Sequence, residues 1–286
     1  MKKVILFLLL VATIYVFYMS READISIVPG SDGSADKGTA AVKQKVIKFS
    51  INGRTSKGVK QWHLEGTAAE IVDEKIYLED LDAEAFGEKF TIQLTSSRGI
   101  YYKDRSEVEL EGNVRVSSDD GTVLTMDSAL WSQETKDISS DSAVRIERTD
   151  MVATGVGGRA NSEKKTAMLL SDVTVKMEPV TLIKCSGPLD ASFTENKAVF
   201  LNNVRVKDKD GELFSDMLTV YMDKDTGRIK EVIAEGNVKL VKGKSYTLCE
   251  KATYTDGTGS VEFVGKPRVV IAAEELESGG FGFEKT

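Results

Sequence analysis

Apolar and polar positions alternate with a period of two through most of the chain after residue 21, and the alternation recurs. Six segments align: VELEGNVRV ending at Val116, SSDSAVRI ending at Ile146, LLSDVTV ending at Val175, VFLNNVRV ending at Val206, IAEGNVKL ending at Leu240 and EFVGKPRV ending at Val269. Their anchors are Val114, Val144, Val173, Val204, Val238 and Pro267, spaced by 30, 29, 31, 34 and 29 residues. That is the self-similarity of a repeat architecture. Leu78–Phe86 is a degenerate candidate for an earlier copy. In the first copy Val108, Leu110, Gly112, Val114 and Val116 share one face. Glu107, Glu109, Glu111, Asn113 and Arg115 share the other, as in a half-buried strand. Between copies lie second strand-like runs, Val123–Trp131, Leu213–Tyr221 and Ser245–Tyr254. Turn chemistry marks the joints: Asp120-Gly121, Asp210-Gly211, Thr226-Gly227 and Asp256-Gly257. Each repeat is therefore predicted to be a hairpin, and the hairpins to stack as an all-β, antiparallel roll. No segment after residue 21 carries a long apolar period of 3.6 residues.

The columns of the repeat differ in size. Two residues after the anchors stand Val116, Ile146, Val175, Val206, Leu240 and Val269; two before them stand Gly112, Ser142, Ser171, Asn202, Gly236 and Gly265. A small column beside a bulky one has two readings. Small residues let strands bend or sheets approach closely. They also leave room for an elongated apolar cleft along the stack. A stacked array further leaves its terminal strands with unpaired backbone groups, which pair with another chain by strand addition. The last strand-like run, Pro267–Ala272, makes Val269, Val270 and Ile271 the predicted partner edge.

Val4 to Met19 holds no charge; Lys2 and Lys3 precede it, and Arg21, Glu22 and Asp24 follow. A helix over it rises roughly 24 Å, a little short of a hydrocarbon core of about 30 Å. Flanking Lys and Arg then snorkel. The rival reading is a cleaved signal peptide, but MSREAD offers no clear small-x-small cleavage site. The expectation is one N-terminal transmembrane helix over residues 1–21, with the lysines in the cytoplasm and the body outside. Residues 22–45 are expected to form a flexible tether, since Pro29 to about Lys45 is small, polar and free of aromatics.

Composition narrows the chemistry. Of 38 basic residues, Lys2, Lys3 and Arg21 lie in the first segment, leaving 35 against 45 acids and a net charge of −10 on the body. Such a body is a poor nucleic-acid binder, because that affinity comes from phosphate neutralisation. The single histidine, His63, has no evident base or nucleophile partner. Gly155–Ala160 matches GxGxxA, but NSEKK rather than an apolar helix follows. Gly243-Lys244-Ser245 resembles the end of a P-loop, yet the first glycine of that motif falls at Val238. Asp208–Gly211 and Asp223–Gly227 faintly resemble calcium loops, but their ligand series is incomplete and they sit where hairpin turns belong. Neither a catalytic residue, a metal ligand nor a cofactor is expected. Cys185 and Cys249 occupy near-equivalent places two repeats apart. Four antiparallel strands place them about 19 Å apart, too far for a disulfide, so both are expected free and buried.

One family fits these features. The N-terminal anchor and tether are followed by Gln61-Trp62-His63-Leu64 with Ala68-Ala69, then Thr95–Tyr101, Leu110–Val114, Asp120-Gly121 and Leu124-Thr125. This order resembles the LptC family, bitopic periplasmic components of lipopolysaccharide export. The later part, with Gly187-Pro188-Leu189, Phe200–Val204, Asp210-Gly211, Ser215-Asp216 and Glu235–Val238, is similar to the OstA/LptA-like periplasmic domain. The chain thus resembles an LptC-like β-roll module over 46–178 running into an OstA/LptA-like β-roll module over 179–286. The resemblance implies a β-jellyroll or V-shaped stacked-hairpin roll. It implies a role in passing lipopolysaccharide from an inner-membrane ABC transporter to a periplasmic bridge toward the outer membrane. The implied partners are lipopolysaccharide itself, the permease subunits, and an LptA-like β-domain docked head to tail; the implied place is the bacterial inner membrane, single-pass, with the body in the periplasm.

Exposing acyl chains to water costs about 0.8 kcal/mol per methylene, so a continuous apolar groove is the physical requirement for such a carrier. The bulky inward columns are the candidate lining: Leu110, Val114, Val116, Val144, Ile146, Val173, Val175, Phe200, Val204, Val206, Val238 and Leu240. The alternative is a membrane-anchored β-repeat scaffold or adhesin with a dry interior and no lipid ligand.

Overall fold

The computed structural model describes residues 44–54, 60–86, 91–119, 121–132, 134–161, 163–178, 181–226 and 228–272. The predicted anchor and nearly all of the tether lie outside the described residues. Among those described, no helix is long and apolar enough to cross a membrane. The described residues form seventeen strands: β1 (Gln44–Arg54), β2 (Lys60–Val72), β3 (Lys75–Phe86), β4 (Thr91–Tyr102), β5 (Glu107–Ser118), β6 (Val123–Ser132), β7 (Asp137–Arg148), β8 (Met151–Asn161), β9 (Thr166–Met177), β10 (Thr181–Cys185), β11 (Leu189–Ser192), β12 (Lys197–Lys207), β13 (Glu212–Met222), β14 (Ile229–Lys242), β15 (Ser245–Thr255), β16 (Ser260–Val264) and β17 (Arg268–Val270).

Two compact units divide the chain. Among the described residues, the first takes in 44–149 and Gly157–Ala167, and so holds β1–β7; the second takes in Asp150–Val156 and 168–272, and so holds most of β9 and all of β10–β17. Within the first, consecutive strands pair antiparallel from β1 to β7. Within the second, β9 pairs β10, β10 and β11 both pair β12, and the order runs on through β13, β14 and β15; β16 and β17 then share the far edge of β15. This is an all-β, antiparallel architecture of successive hairpins. The turns are closed as their residues suggest. Asp208 Oδ1 accepts from the amides of Asp210 and Gly211, and Asp223 Oδ1 from the amide and hydroxyl of Thr226.

The strands are not evenly alternating, and the departure is regular. β5 carries one extra residue against both neighbours, at Gly112-Asn113; β12 does so against β13 at Asn202-Asn203, and β14 against both neighbours at Gly236-Asn237. Both residues of each pair lie in the left-handed region, with φ of 77° at Gly112 and 52° at Asn113. These are β-bulges, and a bulge bends its strand. The amide of the second asparagine bonds a neighbouring segment: Asn237 Nδ2 donates to Asp216 Oδ2 on β13 at 2.8 Å and Asn203 Nδ2 to Ser186 Oγ, just after β10, at 3.1 Å. The period-two stripe predicted through Val108, Leu110, Gly112, Val114 and Val116 is therefore interrupted at its middle. Gly112, Asn202 and Gly236 of the small column lie in these bulges, as the bend reading expects, and a bent sheet can enclose a cleft as well.

The bend re-phases burial. On β5, β12 and β14 the buried residues flank the bulge four apart, as Leu110 and Val114, Phe200 and Val204, and Ala234 and Val238. On the partner strands they fall three apart, as Cys249 and Ala252 on β15. Residues three apart face opposite sides of a flat strand. Met126 and Ala129 on β6 nevertheless pack into one core with Phe49, Ala69, Leu81, Leu110 and Val114. The sheet of the first unit must fold at this line, so that Val46, Leu78 and Val108 on one side and Ile51, Leu64 and Leu94 on the other meet the same core.

A Cβ at Gly236 (φ 75°) collides with the side chain of Asp216. Gly236→Val is expected to destabilise the second unit by about 2 kcal/mol or more. Gly257→Ala, where a Cβ meets nothing within 4 Å, should change stability by less than about 0.5 kcal/mol. Urea midpoints of the two variants check this; equal midpoints contradict the bend.

Candidate functional site

The cross-strand registers assemble apolar rows perpendicular to the strands. In the first unit Ile51, Leu64, Ala83, Leu94, Val116, Leu124 and Ile146 stand side by side across β1–β7. All seven are half-buried. On the other side of the bend Ile71, Ile76, Tyr101, Val108, Trp131 and Ile138 form a second row across β2–β7, again half-buried throughout. Between them, at the bend, the core is closed: Val114 is 1% exposed.

The second unit repeats the plan. Val173 faces Cys185, Val204 faces Ser215 and Val238 faces Cys249 along the bend, and all six are buried. One step out, Val175, Ile183, Val206, Leu213, Leu240, Thr247 and Val269 line up across β9, β10, β12, β13, β14, β15 and β17. Val175 and Ile183 are buried, the next four half-buried, and Val269 is 54% exposed. This row opens progressively toward the β17 edge.

The candidate lining residues separate on this geometry. Leu110, Val114, Val144, Val173, Val175, Phe200, Val204 and Val238 are buried. Val116, Ile146, Val206 and Leu240 belong to the half-buried rows. Alternation within one strand could not separate the two groups. Ile51, Leu64, Ala83, Leu94, Leu124, Ile183 and Leu213 join the rows only through hairpin register; Leu124 and Leu213 lie in the second strand-like runs whose faces the repeat did not fix. At the predicted edge, Val269 and Val270 lie in β17 and are exposed, whereas Ile271 lies just beyond its end.

Cys185 and Cys249 are both free and buried, and burial pushes both thiols up, keeping them neutral. They are separated by the four strand steps β10–β12–β13–β14–β15. The Thr226 hydroxyl and amide hold the Asp223 carboxyl below its usual range, so that carboxylate serves the turn. Gly155–Ala160 lies inside strand β8 rather than at a strand-to-helix turn. His63 pairs with Asn52 and Glu65. Among the described residues no three acids, thiols or imidazoles cluster as a metal site.

Leu218, opposite both Phe200 and Ala234, is 1% exposed. Leu218→Ala is expected to cost about 2–5 kcal/mol. Leu240→Ala, in the half-buried row, should cost about 1 kcal/mol. Chemical denaturation of both checks the division between packed core and open row; equal losses contradict it.

Two family models cover most of the chain. The model described as lipopolysaccharide-assembly, LptC-related, matches residues 5–178. The model described as LptA/(LptD N-terminal domain) LPS transport protein matches residues 186–279. No curated protein matches the chain. The two matches meet in the short interval between β9 and Gly187, so the second unit's apolar row starts at Val175 inside the first match and continues from Val206 in the second. With a match over well more than half its length, the chain belongs to the LptC-related lipopolysaccharide-assembly family, carries an LptA-like portion after that region, and has its role in lipopolysaccharide transport.

Proposed function

We propose that this protein carries lipopolysaccharide by its acyl chains along the half-buried rows, without catalysing a reaction. The supporting observation is the contrast within one face: a closed core at the bend, and beyond it largely apolar rows most of whose side chains are half-buried. Burying a dozen methylenes against such a row is worth about 10 kcal/mol. That suffices to hold a chain away from water and permits release by passing it one strand at a time. The LptC-like module over 46–178 takes lipid from the permease subunits of the inner-membrane ABC transporter, to which residues 1–21 anchor the chain as a single-pass helix. The OstA/LptA-like module over 179–286 passes it on. The rising exposure of the second unit's row toward Val269 supports hand-off at the β17 edge, where an LptA-like β-domain in the periplasm adds a strand.

The fully packed bend favours, on its own, the second reading of a dry β-scaffold. Photo-crosslinkers separate the two. Placed at Val116 and Leu240, they should capture lipopolysaccharide in cells, while those at exposed Arg115 and Gln93 on the first unit's outer face should not. Equal capture from both faces, or none, favours the scaffold.

Proline tests the edge. Of Val269 and Val270, alternate backbone groups point to β15 and outward. Proline at the outward position should weaken co-purification of the periplasmic partner at least about tenfold while the thermal midpoint holds. Undiminished co-purification for both variants rejects strand addition at β17.

A further inference from the structure

The opposite face of the same second-unit strands carries a different pattern. Register sets Lys184, Arg205, Phe214, Lys239, Leu248 and Arg268 side by side across β10, β12, β13, β14, β15 and β17. At about 4.8 Å per strand this row runs roughly 24 Å. The next row on that face includes Lys176, Lys207, Glu212, Tyr246 and Val270. All six cations in the two rows are exposed, and Glu212 is their one acid. Arg205 grips Glu212 at 2.8 Å and lies over the Phe214 ring; Lys207 reaches Glu212 at 3.5 Å, and Lys239 lies over Tyr246. Acids bound the patch: Asp172, Asp216 and Glu250 toward the bend, Asp208 and Asp210 in the β12–β13 turn. A net charge of −10 on the body conceals this segregation.

The equivalent rows of the first unit serve as an internal control. There Glu65, Asp82, Glu84 and Glu147 outnumber Arg115 and Arg145. The basic face is thus not a by-product of the architecture. Nor is it purely ionic, because Leu248 and Val270 stand 38% and 41% exposed on it and Tyr246 is half-buried between them. An acidic protein surface gives such side chains no apolar partner. The head-group zone of a bilayer accepts cations, aromatic rings and aliphatic tips together.

We infer that this outer face of the second unit docks on an anionic, phosphate-bearing lipid surface. The cations meet lipid phosphates while Tyr246, Leu248 and Val270 seat among the head groups. The contact is independent of acyl-chain carriage on the opposite face, and either can fail alone.

The test uses the full chain reconstituted in vesicles, with a photo-crosslinker at Leu248 or, as control, at exposed Gln93 on the first unit's outer face. Vesicles are phosphatidylcholine alone, or phosphatidylcholine with roughly a third phosphatidylglycerol. Lipid capture at Leu248 should rise about tenfold or more with the anionic lipid and stay low at Gln93. It should fall by a similar factor in K184E/K239E, whose melting point confirms folding. Capture indifferent to anionic lipid or to the double substitution overturns the inference. So does loss of capture in millimolar inorganic phosphate, which identifies a free-anion site, or crosslinking to a second copy of the chain, which identifies self-association.

Discussion

The extra residue that each of β5, β12 and β14 carries at its middle governs everything else in this protein. A half-apolar sheet of hairpins, left flat, keeps its greasy face in water. The bulge folds the sheet so that its two halves share one core. The conformational cost is modest, because on β5 and β14 glycine takes one left-handed position freely and asparagine tolerates each of the others for about 1 kcal/mol. Burial of Leu110 and Val114 beside the first bulge and of Phe200 and Val204 beside the second returns about 1.5–3 kcal/mol per side chain, and at the third Val238 does so beside the smaller Ala234. The asparagine amide bonded to a neighbouring segment then holds the bend in register. The Gly-Asn and Asn-Asn pairs are hinges cast into the backbone.

That fold divides the apolar face by depth. Along the bend, Val114, Val173, Val204, Leu218 and Val238 are packed to the exclusion of water, as tightly as a protein interior requires. Farther from it the same face is only half covered. Packed residues fix the shape; half-covered ones retain hydrophobic free energy that an apolar ligand can release. A lipid carrier needs both, and a dry scaffold needs only the first. The family assignment to lipopolysaccharide transport accords with a protein that extends such rows over seven strands in each unit.

Much of this was legible from residues alone. The alternation revealed the strands, the Asp-Gly and related pairs revealed the hairpins, and the repeat interval separated the two cysteines correctly. The anchor valines were recognisable as inward. Three things were not legible. The bulge hides in sequence because Gly112-Asn113 fits a strict period of two as well as a kink, so the partner strands change phase unannounced at Met126 and Ala129. The rows at Leu94, Leu124 and Leu213 exist only once register joins neighbouring hairpins. The basic outer face is lost in a sum over the whole chain, since Lys184, Arg205, Lys239 and Arg268 lie far apart in sequence and meet only across strands.

Carbene footprinting of the full chain with and without lipopolysaccharide measures the central division of labour most directly. Leu94, Val116, Leu124, Leu213 and Leu240 should label in the free protein and become protected when lipid is added, while Val114 and Val204 stay unlabelled in both states. Unchanged labelling of the rows with lipid bound, or lipid-dependent labelling of the packed valines, would contradict the assignment of the open rows as the lipid path.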